Sequence, residues 1–128
     1  MERPAVFIDP QPSRRETAEA GCGPWHLATG AGGANAFLNG ITEFDPGASL
    51  PLHHHNSQKA VVVPERLARC QVEERSRDLG PNEAVMIEAG PVHRLANAGG
   101  QLRILFTYGS TFPARTLMAT GVTQPVED

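Results

Sequence analysis

Turn-forming residues divide this sequence into short segments. The 128 residues include 13 glycines and 11 prolines, and these are spread along the chain rather than clustered. Pairs such as Pro46-Gly47 and Gly90-Pro91 mark turns, because glycine adopts positive φ without strain and proline fixes its own φ. Almost no helical periodicity is present between the turns. Short strands separated by frequent turns are typical of an antiparallel β-sandwich or barrel.

The apolar segments between the turns predict the strands. In the most regular segment, Ala68, Cys70 and Val72 share one face and the residues between them share the other. A helical turn is predicted only at residues 13–20, where Ser13 and Glu16 fit a capping box. The predicted strands are residues 5–9, 25–28, 36–44, 49–55, 59–63, 67–74, 84–87, 93–97 and 102–108. Residues 112–128 form a tail that either packs back or reaches a partner.

Length and charge limit the functions open to the chain. A chain of this length predicts one domain, and a net charge of -3 without a basic stripe argues against nucleic acid as a partner. No apolar stretch is long enough to cross a membrane, and the first residues contain no apolar signal core. Two cysteines cannot build a disulfide framework; Cys70 is expected to be buried, and Cys22 suits an exposed position. We expect a cytoplasmic protein.

Three consecutive histidines occur at positions 53–55. Apolar, strand-like sequence follows them, so the run is not an expression tag. On an extended strand, His53 and His55 point to one face and His54 points to the other. Two imidazoles on one face provide half of a metal site. The other half must come from elsewhere in the chain, where the remaining histidines are His26 and His93.

These histidines belong to a pattern that resembles the two motifs of the cupin superfamily. The first motif is present as Gly47, five residues, His53, one residue and His55. The second is present in its latter half, with a glycine three residues before His93 and with Asn97 four residues after it. The segment that carries the resemblance runs from about residue 41 to residue 108.

The resemblance implies an all-β fold, the double-stranded β-helix or jelly-roll barrel. It implies a single cupin domain over residues 1–128, with a barrel core at about 36–108, an N-terminal arm at 1–35 and a C-terminal tail at 109–128. It implies that His53, His55 and His93 hold a divalent transition metal, with Fe, Zn, Ni, Mn or Cu as candidates; three neutral imidazoles suit Zn, Fe, Cu or Ni. It also implies a homodimer that pairs by sheet edges.

Lys59 stands where the resemblance expects a fourth metal ligand, a glutamate. It is the only lysine, against ten arginines. An ammonium about 5 Å from a divalent ion repels it by several kcal/mol at an effective dielectric near 20. Three resolutions are open: the side chain points to solvent, which is the simplest; it loses its proton; or the site holds no metal. If Lys59 faces inward, it is a candidate catalytic base or the partner of a substrate carboxylate.

Other side chains receive structural interpretations. His26 is interpreted as a surface or loop histidine, and Asn97 as a residue that hydrogen-bonds a turn. Glu88 is expected to be a solvated carboxylate, and Gln58 faces inward only if the strand register shifts. The expected core residues, which would also form an apolar pocket wall, are Phe37, Phe44, Met86 and Phe106. The glycine of the first motif that follows the predicted strand 59–63 falls near Arg66.

Three functions stay open on this reading. The first is a metal-dependent enzyme acting on a small organic molecule, for which the resemblance implies dioxygenase, isomerase, lyase or cyclase chemistry. The second is a metal-free or degenerate cupin that uses Lys59 and the histidines for acid–base catalysis. The third is a module that binds a small molecule without turnover. The fold cannot separate them, because function depends on the residues of the site.

Overall fold

The computed structural model of the protein describes residues 4–12 and 21–126. Regular structure in this part of the chain consists entirely of β-strands. In chain order they are β1 (Gln11–Pro12), β2 (Cys22–His26), β3 (Leu38–Phe44), β4 (His53–His55), β5 (Lys59–Val63), β6 (Ala68–Val72), β7 (Arg75–Leu79), β8 (Glu83–Ile87), β9 (His93–Asn97), β10 (Leu102–Tyr108), β11 (Ala114–Leu117) and β12 (Thr123–Pro125). The helical turn predicted at residues 13–20 lies outside the described residues. No helix that could span a membrane occurs within residues 4–12 and 21–126.

The strands form two six-stranded antiparallel sheets. Sheet A has the order β1-β2-β3-β10-β5-β8, and sheet B has the order β12-β11-β4-β9-β6-β7. From β3 to β11 the chain crosses between the sheets at every connection except the β6–β7 hairpin. This topology is the jelly-roll, or double-stranded β-helix, that the sequence predicts.

The apolar core fills one end of the space between the sheets. Its larger cluster consists of Cys22, Phe44, Val61, Val63, Ala68, Cys70, Leu79, Leu95, Leu102 and Ile104. A smaller cluster contains Leu38, Phe106 and Tyr108. Along β10 the side chains that face inward pass from the larger cluster to the smaller one. Since β5 and β9 run beside the same space, their ends at Lys59 and His93 lie with the smaller cluster.

The strand predictions are confirmed for the segments in which buried and more exposed side chains alternate. β5, β9 and β10 have the predicted bounds, and β6 buries Ala68 and Cys70 on one face. Residues 5–9 do not form a strand. Residues 49–52 are not part of a strand, although Ser49 forms an isolated bridge with Ala96 and the backbone N–H of Leu50 donates to the Leu95 carbonyl. β7 was not predicted, because Arg75–Leu79 has four exposed residues and a single buried one.

The tail packs back onto the barrel through β11. Arg115, Thr116 and Leu117 pair in antiparallel register with the three residues of β4, and β12 pairs with β11 at the edge of sheet B. Sheet B therefore encloses the histidine strand between β11 and β9. This pairing connects residues about 60 positions apart, which local sequence patterns do not reveal.

The burial predictions for three apolar side chains are wrong. Cys22 is only 2% exposed, because it lies on β2 beside β3 and its side chain enters the larger core cluster. Phe37 is 44% exposed and Met86 is 71% exposed. Phe37 precedes β3, and Met86 lies on the outer face of β8, an edge strand. Phe44 and Phe106 are buried as predicted.

Candidate metal centre

Strands β4 and β9 bring three histidines to the inner face of sheet B. His53 and His93 are direct cross-strand neighbours, and His55 lies two residues further along β4 on the same face. All three are buried, with exposures of 1%, 1% and 3% for His53, His93 and His55. His54 pairs with Thr116 and points to the opposite face, as strand alternation predicts. The structure thus brings together the three predicted ligands.

Each of these imidazoles has one nitrogen on a backbone carbonyl. The Nδ1 atoms of His53, His55 and His93 lie 2.6, 3.2 and 3.0 Å from carbonyl oxygens of Pro51, Ala114 and Pro91, respectively. A carbonyl only accepts, so each Nδ1 carries the proton and donates it. Each Nε2 then has a free lone pair. Backbone carbonyls fix the tautomer and orientation of metal-binding histidines in the same way.

The three rings face one another at short range. Their centroids are 4.8 Å apart for His53–His55, 4.4 Å for His53–His93 and 5.2 Å for His55–His93. The ligand atoms of the three side chains all lie within 4.8 Å of one another. The Nε2 atom of His93 is buried and has no hydrogen-bond partner among the described residues. A buried imidazole nitrogen without a partner costs free energy unless something binds it.

The electrostatic environment keeps the three imidazoles neutral. Burial lowers the pKa of His53 from 6.5 to about 2 and that of His93 to about 4, with the Lys59 charge as the second cause. Burial, and then Lys59, also lowers the pKa of His55. Neutral imidazoles are the form that coordinates a metal, whereas charged ones repel it.

Lys59 faces the inside of the barrel, and the interpretation that it points to solvent is wrong. Its side chain is 4% exposed, because Lys59 shares the inward face of β5 with Val61 and Val63. Its Nζ lies 5.4 Å from the centroid of the Tyr108 ring. Burial, followed by the charge of Arg115, lowers the pKa of Lys59 from 10.5 to about 8. Lys59 therefore occupies the same interior as the histidines.

Tyr108 is a site residue that the sequence reasoning missed. It is 5% exposed, and its ring lies 4.8 Å from that of His55 across the space between the sheets. Its hydroxyl lies 3.4 Å from the Nε2 of His55, which is long for a hydrogen bond. Burial raises the pKa of the phenol, so the hydroxyl stays protonated. The signal was present, since Tyr108 continues the inward face of Ile104 and Phe106 on β10.

Sequence comparison assigns the chain to a family. The sequence profile of the cupin domain matches residues 40–108, more than half of the chain. The chain belongs to the cupin family. No curated protein matches this cupin.

Solved structures of other proteins share the fold of this cupin. An oxalate oxidase in complex with glycolate aligns with a TM-score of 0.71 at 20% identity, over 77% of this chain and 55% of its own. A sugar phosphate isomerase of the cupin superfamily from Silicibacter pomeroyi gives 0.67 and 18%, over 93% and 88%. The polyketide cyclase RemF from Streptomyces resistomycificus gives 0.70 and 21%, over 98% and 86%.

These similarities support the fold and not a particular reaction, because all three identities are below 25%. This cupin spans just over half of the oxalate oxidase chain. The structural relatives are an oxidase, an isomerase and a cyclase, so one barrel carries several chemistries.

The remaining predicted residues fall outside the centre. His26 is buried in β2 at 8% exposure, with its ring 6.5 Å from that of Phe106, so the surface interpretation is wrong. Asn97 supports the turn that follows β9: its Nδ2 donates to the carbonyl oxygens of Asp45 and Gly100, and its Oδ1 accepts from the Gly99 N–H. That prediction is confirmed.

Gln58 and Glu88 lie outside the barrel. The Nε2 of Gln58 donates to a carboxylate oxygen of Glu88 at 2.7 Å, and both side chains are exposed. Both residues face solvent, as predicted for the register in which Lys59 points inward. Neither side chain substitutes for the glutamate expected at position 59, which leaves three imidazoles as the candidate ligands of the centre.

Proposed function

We propose that this cupin is an enzyme that acts on a small organic molecule with the help of a divalent transition metal. His53, His55 and His93 would hold the metal through their Nε2 atoms. The observation that carries the proposal is the buried Nε2 of His93, which has no partner in the part of the chain that the structure describes, while Nδ1 of the same ring donates to a backbone carbonyl. The residues fit a metal on these grounds, with Fe, Zn, Ni, Mn and Cu as the candidates.

The residues around the centre would have different roles in the reaction. A bound metal supplies Lewis acidity or activates oxygen. The backbone carbonyls at Pro51, Ala114 and Pro91 hold the rings in place, and burial keeps bulk water away. Tyr108 holds a proton on its hydroxyl, and Lys59 places an ammonium or an amine beside it. The chain thus provides a proton donor and a cation next to the proposed metal.

One observation favours a second candidate, a metal-free acid–base catalyst. The pKa of buried Lys59 is about 8, so its amine exchanges a proton near neutral pH. In this alternative the histidines and Lys59 act on the substrate directly. A general base works best when its pKa lies near the working pH, and Lys59 meets this condition.

Cobalt binding separates the two candidates. Chelator-treated protein is titrated with Co²⁺, and the visible d–d absorption reports ligand number and geometry. We expect one Co²⁺ per chain, loss of the signal in His93→Ala, and an unchanged signal in His54→Ala, which removes the neighbouring histidine on the opposite face. A titration without saturable absorption would leave only the metal-free candidate.

Turnover is tested separately on the same protein. Metal-loaded and chelator-treated samples are compared on a panel of small organic molecules, with and without oxygen, for dioxygenase, isomerase, lyase and cyclase activity. The first candidate predicts activity only in the loaded sample and its loss in His53→Ala. The second predicts activity that survives the chelator and is lost in Lys59→Met. Ligand binding without turnover by either sample would identify a binding module.

The oligomeric state, the cellular location and the partners of the protein remain predictions. We propose a homodimer in the cytoplasm, without nucleic acid or membrane as partners. Free edges on β8 and β7 support the dimer, because an unpaired strand edge among the described residues favours pairing with a second copy. Light scattering on the purified protein measures its mass directly, and a monomer at micromolar concentration would contradict the dimer.

A further inference from the structure

Lys59 is a buried cation whose charge no described residue neutralises. Its side chain is 4% exposed. Three ion pairs lie at the surface and do not include Lys59: Arg69–Asp78, Arg77–Glu83 and Arg103–Glu43. Buried charges are normally paired, because an isolated ammonium loses its hydration without compensation. The position of Lys59 therefore calls for an anion from outside the described chain.

No described side chain that contacts this end of the interior supplies negative charge. The imidazoles of the centre are neutral, and the Tyr108 hydroxyl keeps its proton. Arg115 on β11, whose charge also acts on Lys59, is positive as well. A divalent ion held by the three histidines would add two more positive charges. The interior is thus complementary to an anionic ligand.

We propose that the small-molecule ligand of this barrel is a carboxylate, with one of its oxygens on the Nζ of Lys59. The proposal rests on the proposed function, since the metal supplies part of the positive charge that the carboxylate offsets. The ligand then provides the negative charge that a glutamate at position 59 would have brought. Where the cupin motif has a glutamate that carries a carboxylate, this chain has a lysine that binds the carboxylate of the ligand.

The donors beside Lys59 favour a carboxylate over a phosphate. Lys59 brings one ammonium, and the Tyr108 residue over whose ring it lies, 5.4 Å from the centroid, brings one phenol hydroxyl. Two donors match the two oxygens of a carboxylate. A phosphate monoester has three terminal oxygens and up to two charges, so it would leave more buried acceptors without donors.

The test measures binding by saturation-transfer NMR at pH 7. The probes are acetate, malonate and benzoate, each compared with its neutral amide, and methyl phosphate as the competing anion. The proteins are zinc-loaded and chelator-treated wild type, Lys59→Met, and Arg69→Met, which removes one positive charge from the outer surface. Lys59→Gln replaces Lys59→Met if the latter does not fold.

We expect at least one carboxylate to bind tenfold or more tightly than its amide. Lys59→Met should weaken that carboxylate at least tenfold, and Arg69→Met should bind it like wild type. The proposal is overturned if no carboxylate binds, if the amides bind equally well, if Lys59→Met makes no difference, or if methyl phosphate binds more tightly than every carboxylate. The metal content of the same samples distinguishes this failure from failure of the metal site, because in the chelator-treated protein the carboxylate depends on Lys59 and Tyr108 and not on a metal.

Discussion

Lys59 and Tyr108 are direct cross-strand neighbours in sheet A, and the Nζ of Lys59 lies 5.4 Å from the centroid of the Tyr108 ring. The aromatic face stabilises a desolvated ammonium by about 2 kcal/mol or more. Burial acts in the opposite direction and is the larger effect, because the pKa of Lys59 falls to about 8 rather than rising. Lys59 is therefore a destabilising residue at neutral pH, which suggests that it is present for function.

This balance predicts an alkaline gain in stability. Between pH 8 and 10.5 the unfolded chain holds a proton on Lys59 that the folded chain has released. The free energy of unfolding should then rise with pH across this window by about 1.4 kcal/mol per pH unit. Urea unfolding of metal-free wild type and Lys59→Met at pH 8, 9 and 10 measures the difference. Lys59→Met should be the more stable protein at pH 7, and its advantage should shrink as the pH rises; parallel curves would show that Lys59 is not desolvated.

Substitutions at position 59 should also change the affinity of the protein for zinc in a defined order. Removing the ammonium in Lys59→Met removes repulsion, and Lys59→Glu adds an anionic ligand in its place. We expect zinc affinity to rise from wild type to Lys59→Met and again to Lys59→Glu, by roughly tenfold or more at each step. Competition with a chromophoric chelator measures all three.

Arg69→Glu is the matched control for this series, because it makes the same charge change on the outer surface. It should bind zinc within a factor of about two of wild type, since exposed charges are screened by salt. Equal affinities for wild type and Lys59→Glu would mean that residue 59 does not face the bound metal.

Arg66 supplies a prediction about the backbone. It has a φ of 67°, in the left-handed region where a side chain costs about 1–2 kcal/mol. The cupin motif places a glycine near this position, and glycine adopts the conformation without that cost. Arg66→Gly should raise the free energy of unfolding by up to about 1 kcal/mol, after the extra entropy of glycine in the unfolded chain is subtracted. Differential scanning calorimetry tests this, and a lower Tm would show that Arg66 is held by interactions worth more than the strain.

The sequence predicts the fold and the face on which the histidines lie, because both depend on short-range periodicity. Alternation over two residues is enough to place His53 and His55 on one face, and the second motif adds His93. The orientation of Lys59 depends on the same parity, since Val61 and Val63 share its face. The polarity pattern of β5 indicates this orientation only weakly, because Ala60 and Val62 on the opposite face are apolar too.

The parts that were missed depend on pairing with another strand and not on an apolar pattern of their own. Arg75–Leu79 has almost no apolar face, so only its pairing with β6 makes it a strand. The tail becomes β11 by pairing with β4, which brings the carbonyl of Ala114 to His55 and the charge of Arg115 towards Lys59. No local sequence pattern within residues 112–128 predicts these contacts.

The metal content of untagged protein, purified without chelator, tests the central claim most directly. Elemental analysis should find about one transition metal per chain in wild type and in His54→Ala, and a near-complete loss in His93→Ala. His93→Ala is the sharpest variant, because it removes the buried Nε2 that has no partner among the described residues. Wild type that holds no metal, even after incubation with zinc, iron, nickel, manganese and copper salts, would contradict the account.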